Sequence, residues 1–243
     1  MLFASPMALL LPNRHRGKLL VVEGIDGSGK STQLALLSQW LQAQCIAVAF
    51  SEWNSSPLVR ETTKRGKKKN MFTPVTFSLI HATDFADRLE NEIVPALRAG
   101  FVVLTDRYIY SLMARAIARG EDRAWIERVA SFALVPHATY YLRAQVRDLL
   151  TRVVLGRGAF DHWESGMDMR FGADMHDSFV KYQSRVISAL HRMAKRYNFV
   201  VIDATKTPDQ IFRELQRSIG KLFPASVSAP PPSRRSGSRA PRK

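Results

Sequence analysis

A single cysteine in 243 residues excludes an internal disulfide, and with it the disulfide-stapled secreted folds. That residue, Cys45, opens an apolar run (CIAVAF), which predicts a core position and a reducing, cytoplasmic setting. No apolar stretch approaches the roughly 20 residues needed to span a bilayer, so no membrane partner is expected. The N-terminal MALLLP run is too short for the core of a secretory leader and has no basic residues before it. Acids are scarce, 21 against 36 Lys and Arg, for a formal net charge of +15. Much of that charge lies outside the expected fold. Residues 223–243 are Pro/Ser/Arg-rich with almost nothing to bury and read as a disordered basic tail. Arg234, Arg235, Arg239, Arg242 and Lys243 give it a weak, nonspecific attraction to nucleic acid at most. Residues 1–17, with Arg14 and Arg16, read as an N-terminal extension. This leaves 18–222 as one domain.

What is present is concentrated in one octapeptide. Gly24-Ile25-Asp26-Gly27-Ser28-Gly29-Lys30-Ser31 is a complete phosphate-binding loop, flanked by a short apolar strand (Lys18 to Glu23) and an amphipathic helix from Thr32 onward. Gly24, Gly27, Ser28 and Gly29 let the backbone wrap closely enough for its N–H groups to face phosphate oxygens. The following helix adds its positive end, near Ser31 and Thr32. Lys30 can then reach the β- and γ-phosphates of ATP, and the Ser31 hydroxyl can ligate Mg²⁺.

Strands and helices alternate along the rest of the chain. Leu34, Leu37 and Leu41 share a helical face. Ile46 to Phe50 reads as a second strand and 51–73 as a polar loop. Thr73-Pro74 reads as a helix start, and that helix runs to about Arg98 with a kink at Pro95 and a C-cap at Gly100. Further strands are expected at 101–105, 138–142 and 199–202. Helical segments are expected to about Ala133 and at 146–155, 174–197 and 208–222, and a mobile loop at 156–172. Five short apolar strands separated by helices predict an α/β fold, a five-stranded parallel sheet with helices on both faces. Ligands bind beyond the C-terminal strand ends of such sheets, where the phosphate loop, Glu52 and Asp106 all fall.

Three stretches together resemble thymidylate kinase, a P-loop nucleoside monophosphate kinase. They are Val22 to Gln33, Asp106-Arg107-Tyr108 with Ser111 following, and Val201-Ile202-Asp203-Ala204. The resemblance covers 18–222 and implies transfer of the γ-phosphoryl of ATP, with Mg²⁺, to a nucleoside monophosphate, most simply dTMP to dTDP. It also implies that Arg107 contacts phosphate between donor and acceptor, that Asp106 holds Mg²⁺ directly or through water, and that Asp26 binds the acceptor's 3′-hydroxyl. Tyr108 would lie near the sugar 2′ position. Residues 156–172 take the place of the lid, and Arg152 and Arg157 are the candidates for its catalytic charge, with Arg170 a third. Family members are commonly homodimers.

The acceptor side departs from the family. Ser51-Glu52-Trp53-Asn54 stands where the family carries Arg-Glu-Pro, so Glu52 keeps a counterpart but the phosphate-gripping arginine is missing. Arg60 or the basic run Lys64 to Lys69 would have to compensate. Phe85-Ala86-Asp87-Arg88 resembles the family's base-binding segment. Counting back from Pro95, however, puts Phe85 at the arginine position and His81 at the position of the base-stacking phenylalanine. Arg88, one turn along, and Phe77, one turn before His81, are the substitutes this leaves. Two alternatives stand beside the thymidylate reading. One is the same chemistry on another nucleotide, nucleoside or phosphate ester. The other is nucleotide-gated binding of nucleic acid or a partner.

Overall fold

The computed structural model describes residues 9–148 and 161–223. Arg152, Arg157, the neighbouring Gly156 and Gly158, and the C-terminal tail from residue 224 onward lie outside them. Within these bounds the predicted architecture is present. Five parallel strands, β1 (Lys18–Glu23), β2 (Val48–Glu52), β3 (Val102–Asp106), β4 (Ala138–Arg143) and β5 (Val200–Asp203), are arranged in the order β2-β3-β1-β4-β5. Neighbouring side chains on a strand point to opposite faces, so the near-continuous burial of β1, β3 and β4 requires cover on both sides of the sheet. The edge strands need less cover, and Phe50, Val200 and Val201 are exposed.

The order of strands positions the site. β1 pairs with β3 on one side and β4 on the other, with Val22 opposite Asp106 and Glu23 opposite Tyr141. β2 pairs with β3 so that Glu52 lies opposite Asp106. The loop after β1 and the residues closing β2 and β3 are thus brought to one edge, where chain connections diverge to the two halves of the sheet.

Helix α1 (Lys30–Ala43) buries Leu34, Leu37 and Leu41 as its spacing predicted. Helix α3 (Pro74–Arg88) starts where expected: the Thr73 side chain accepts from the Thr76 N–H, and Pro74 occupies the first turn. Proline has no N–H to give the preceding turn, and the chain meets Pro95 through a π-helical turn (Leu89–Ile93) leading into α4 (Val94–Arg98). Gly100 closes the segment at φ 89°. Helices α5 (Ile109–Ala118) and α6 (Arg123–Val129) follow β3. Residues 146–148 are helical, and the rest of the expected 146–155 helix lies outside the described residues. Helix α7 (Met175–Arg196) precedes β5. Helix α8 (Pro208–Gly220) closes the fold behind a capping box of Thr207 and Gln210.

Four expectations are corrected. The 51–73 stretch is not all loop, since α2 (Arg60–Lys68) occupies its middle. It buries only Thr63 and Gly66, so it carries no apolar periodicity to betray it. Cys45 is exposed at φ 59°, in the turn that ends α1, rather than in the core. Residues 161–169, expected to be part of a mobile loop, are packed into the molecule: Trp163 is 5% exposed and Ser165 fully buried. Finally, the segment before β1 joins the fold, because Leu10 belongs to the core and Leu11 bridges Leu134.

Candidate active site

β1 ends on Glu23, and the phosphate loop begins at once. A Cβ on Gly24 would stand 2.5 Å from Ser28 Oγ and 3.0 Å from the Leu142 carbonyl, so only glycine passes there. At Gly29, φ is 92° and none of the described residues lies within 4 Å of a Cβ position, which leaves an open cradle at the start of α1. Lys30 is buried, with Nζ 3.3 Å from the Ile25 carbonyl and 3.9 Å from Asp106 Oδ1. Burial lowers its pKa, helped by Arg107 and opposed by Asp106, Asp26 and Glu23. Ser31 and Thr32 are exposed at the mouth, with Ser31 Oγ 3.5 Å from Asp106 Oδ2. Asp106 Oδ1 is buried without a hydrogen-bond partner among the described residues. A hydroxyl and a carboxylate with an oxygen that makes no hydrogen bond among the described residues, facing each other across a phosphate cradle, fit the all-oxygen coordination of Mg²⁺.

Arg107 follows at φ 68°, a left-handed conformation that costs a non-glycine residue roughly 1–3 kcal/mol. Its backbone N–H donates to the Val22 carbonyl and its Nη1 to the Gly24 carbonyl at 2.8 Å, while Nη2 pairs with Asp26 Oδ1. The other Asp26 oxygen takes Arg115 Nη2 at 3.1 Å. Beneath them Glu23 accepts the Tyr108 and Ser111 N–H groups at 2.9 and 3.1 Å and the Ser111 hydroxyl at 2.6 Å. A carboxylate thus sits on the positive end of α5. Burial raises its pKa, and Ser111 and Arg107 pull the other way.

The acceptor side is built on α3, α5 and residues 161–169. Arg115 on α5 and Arg119, the residue that caps its C-terminal end, project one turn apart. Arg119 is tied to Asp168 (3.2 Å), to the Trp163 carbonyl (3.1 Å) and to the Tyr182 hydroxyl, and its guanidinium lies 4.2 Å from the Phe77 ring centroid. Burial pushes its pKa down to about 10 against the pull of Asp168. Phe77 in turn packs on Trp163, nearly parallel at 5.4 Å, and on His81 at 4.1 Å; Trp53 stacks on His81 at 5.0 Å. Lys67, on α2, holds Nζ 5.6 Å from the Phe77 ring. Burial lowers its pKa to about 8, with Arg115 the next cause, and it has no ion-pair partner among the described residues.

Of the residues expected at the site, Gly24, Asp26, Gly27, Ser28, Gly29, Lys30, Ser31, Thr32, Asp106, Arg107 and Glu52 converge at the strand ends. Phe77 and His81 line the acceptor side, but their rings are already packed on other rings. Phe85 and Tyr108 do not face the site. Both are fully buried, edge to face with each other, and the Tyr108 hydroxyl donates to the Leu134 carbonyl. The 2′-facing place the family would give Tyr108 is therefore not where its side chain goes. Arg88 is also fully buried, held by Asp84 Oδ2 and Ser51 Oγ at 3.0 Å each. Arg170 is exposed at φ 53°. Lys67, from the basic run expected to compensate on the acceptor side, does reach it, whereas sequence reasoning missed Glu23, Arg115, Arg119 and Trp163. The i, i+4, i+8 spacing of Ser111, Arg115 and Arg119, continuing from Arg107, was the available signal.

The thymidylate kinase family model matches residues 22–215, most of the chain and all of the geometry just described. The chain belongs to the thymidylate kinase family. It is thus a phosphotransferase of the nucleoside monophosphate kinase kind. It is 40% identical over 213 residues to a probable thymidylate kinase 2 of Saccharolobus solfataricus, covering 87% of this chain and all of that one. It is 33% identical to a probable thymidylate kinase of Pyrococcus horikoshii, over 76% of this chain and 95% of the relative. A thymidylate kinase of Chlorobaculum tepidum is 32% identical over 84% and 97% respectively. Among the described residues no helix is long and apolar enough to cross a membrane.

Proposed function

We propose that the chain transfers the γ-phosphoryl group of ATP, with Mg²⁺, to thymidylate, giving dTDP and ADP. The observation that carries this reading is the meeting of two strand ends: the parallel register of β1 and β3 sets Lys30 and Ser31 against Asp106. Such chemistry rests on positioning and charge neutralisation. Lys30 neutralises the donor phosphates, and Ser31 and Asp106 hold the metal. When bound, Mg²⁺ spreads the charge that develops on the phosphate oxygens. Arg107, pinned by the Gly24 carbonyl, presents its planar fork toward the phosphate between donor and acceptor. Asp26 then serves the acceptor's 3′-hydroxyl, and Glu52 borders the acceptor beside Asp106. Arg152 and Arg157, outside the described residues, are assigned the lid charge on the resemblance alone.

A second reading keeps the chemistry and changes the acceptor. It is favoured by Ser51, which stands where the family has its arginine and is engaged by Arg88 and Glu92. One screen decides between them: ADP release from ATP·Mg²⁺ against a panel of nucleosides and monophosphates. Turnover with dTMP well above the others supports thymidylate. Turnover led by another compound supports the second reading. Turnover with none of them, unchanged by Lys30→Ala, would sink both.

A further inference from the structure

A cavity of about 350 Å³ lies in the seam between α6 and the C-terminal half of α7, at the small end of the range typical of small-molecule sites. Ile117 of α5, with Ala189 and Met193 of α7, gives it an apolar floor. Ile117 and Arg115 are two positions apart on one helix, so they point to opposite faces of it. The cavity therefore lies behind the acceptor side, away from the Asp26–Arg115 pair. None of the residues gathered at the strand ends lines it.

The rest of the lining is charged, and mostly of one sign. Arg123 of α6 and Arg192, Lys195 and Arg196 of α7 meet a single carboxylate, Glu127. Glu127 accepts from Arg123 Nε at 2.9 Å and from Arg196 Nη2 at 3.4 Å, so one acid holds two guanidinium groups in place. Among the described residues Arg192 donates to the Ser188 hydroxyl at 2.9 Å, and Lys195 has no ion-pair partner. Arg196 Nε is buried with no hydrogen-bond partner among the described residues. Three positive charges of the lining are thus left without an opposite one, beside a buried donor in want of an acceptor.

We propose that this cavity is a second binding site, separate from the donor and acceptor sites, for a nucleoside di- or triphosphate. One phosphate group brings a charge of about −1.5 to −2 at neutral pH, which falls short of the excess in the lining. A chain of two or three phosphates matches it, and guanidinium forks suit phosphate oxygens. The floor of Ile117, Ala189 and Met193 gives the ligand's ring an apolar surface to cover, which a bare polyphosphate would leave wet. The proposal goes beyond the kinase reading and needs neither the phosphate loop nor turnover.

The test follows methyl resonances of the full chain by NMR, because they report the two sites separately. Met193 and Ile117 line the cavity, and Ile25 belongs to the phosphate loop. dTTP and inorganic tripolyphosphate are titrated into the wild type and into Arg192→Ala/Lys195→Ala. Both of those side chains are exposed, so the fold does not depend on them. Arg213→Ala/Arg217→Ala, which removes the same charge from the exposed face of α8, is the control. Both ligands should shift Met193 and Ile117, with dTTP roughly tenfold tighter because its ring covers the apolar floor. Arg192→Ala/Lys195→Ala should weaken that binding at least about tenfold and leave the Ile25 titration unchanged, while the control matches wild type. No shift of Met193 and Ile117 at millimolar dTTP, equal affinity for the two ligands, or equal weakening in the two variants would overturn the proposal. Cavity binding with Ile25 unmoved by ATP·Mg²⁺ would instead leave it standing and count against the kinase reading.

Discussion

Lys30→Ala should lower kcat on the order of a thousandfold, because a preorganised donor facing transition-state charge is commonly worth that much. The ammonium lies in a desolvated position, its pKa already lowered by burial, with Asp106 Oδ1 3.9 Å away. It is therefore held ready for phosphate charge rather than for stability. Its removal ends a costly burial, and Asp106 keeps a solvent-facing side, 13% exposed. The variant's melting temperature should consequently stay near wild type while turnover collapses. Acceptor binding, which Lys30 does not touch, should be retained. Steady-state kinetics at saturating ATP·Mg²⁺, beside a thermal melt, measures all three.

Arg88→Ala should have the opposite profile. Arg88 is fully buried and its ion pair with Asp84 is 2% exposed at the acid. Asp84 also accepts the Asn54 and Ser56 N–H groups at 3.2 and 3.0 Å. Truncation would strand a buried carboxylate and loosen the chain between β2 and α2. Breaking a buried pair in this way costs about 3–5 kcal/mol, and at 2–4 °C per kcal/mol for a domain of this size Tm should fall by roughly 6–20 °C. Below the melt, the preference for dTMP over other monophosphates that the thymidylate reading carries should survive. A small Tm change with lost base preference would instead make Arg88 the base-reading arginine that its resemblance to the family segment suggests.

The donor half of the site was legible because local chemistry dictates it. A glycine-rich turn between a buried strand and a helix start has few other uses, and Asp106-Arg107 ends an apolar strand that could hardly be placed elsewhere. The acceptor half was only partly legible, because there the outcome depends on which face of a helix meets which neighbour. Phe85 looks like a base-binding residue until α3 packs on α5 and turns it toward Tyr108. Trp163 sits among glycines and charges that read as a loop. Its burial comes from Phe77, 86 positions earlier, and from Arg119, neither of which leaves a local trace. Helix α2 escaped notice for a similar reason: a run of lysines around Gly66 looks solvated, yet Gly66 must be small because a Cβ there would come within 2.2 Å of the Phe72 ring. Cys45 shows the converse, an apolar-looking context whose first residue is consumed by a turn.

The most direct test of the central claim follows the phosphoryl group itself. The full chain is incubated with γ-labelled ATP, Mg²⁺ and dTMP, and the nucleotides are separated. The account predicts that label appears in dTDP in step with ADP, and that Lys30→Ala abolishes both. Label released only as inorganic phosphate, or dTDP formation that persists in Lys30→Ala, would contradict it.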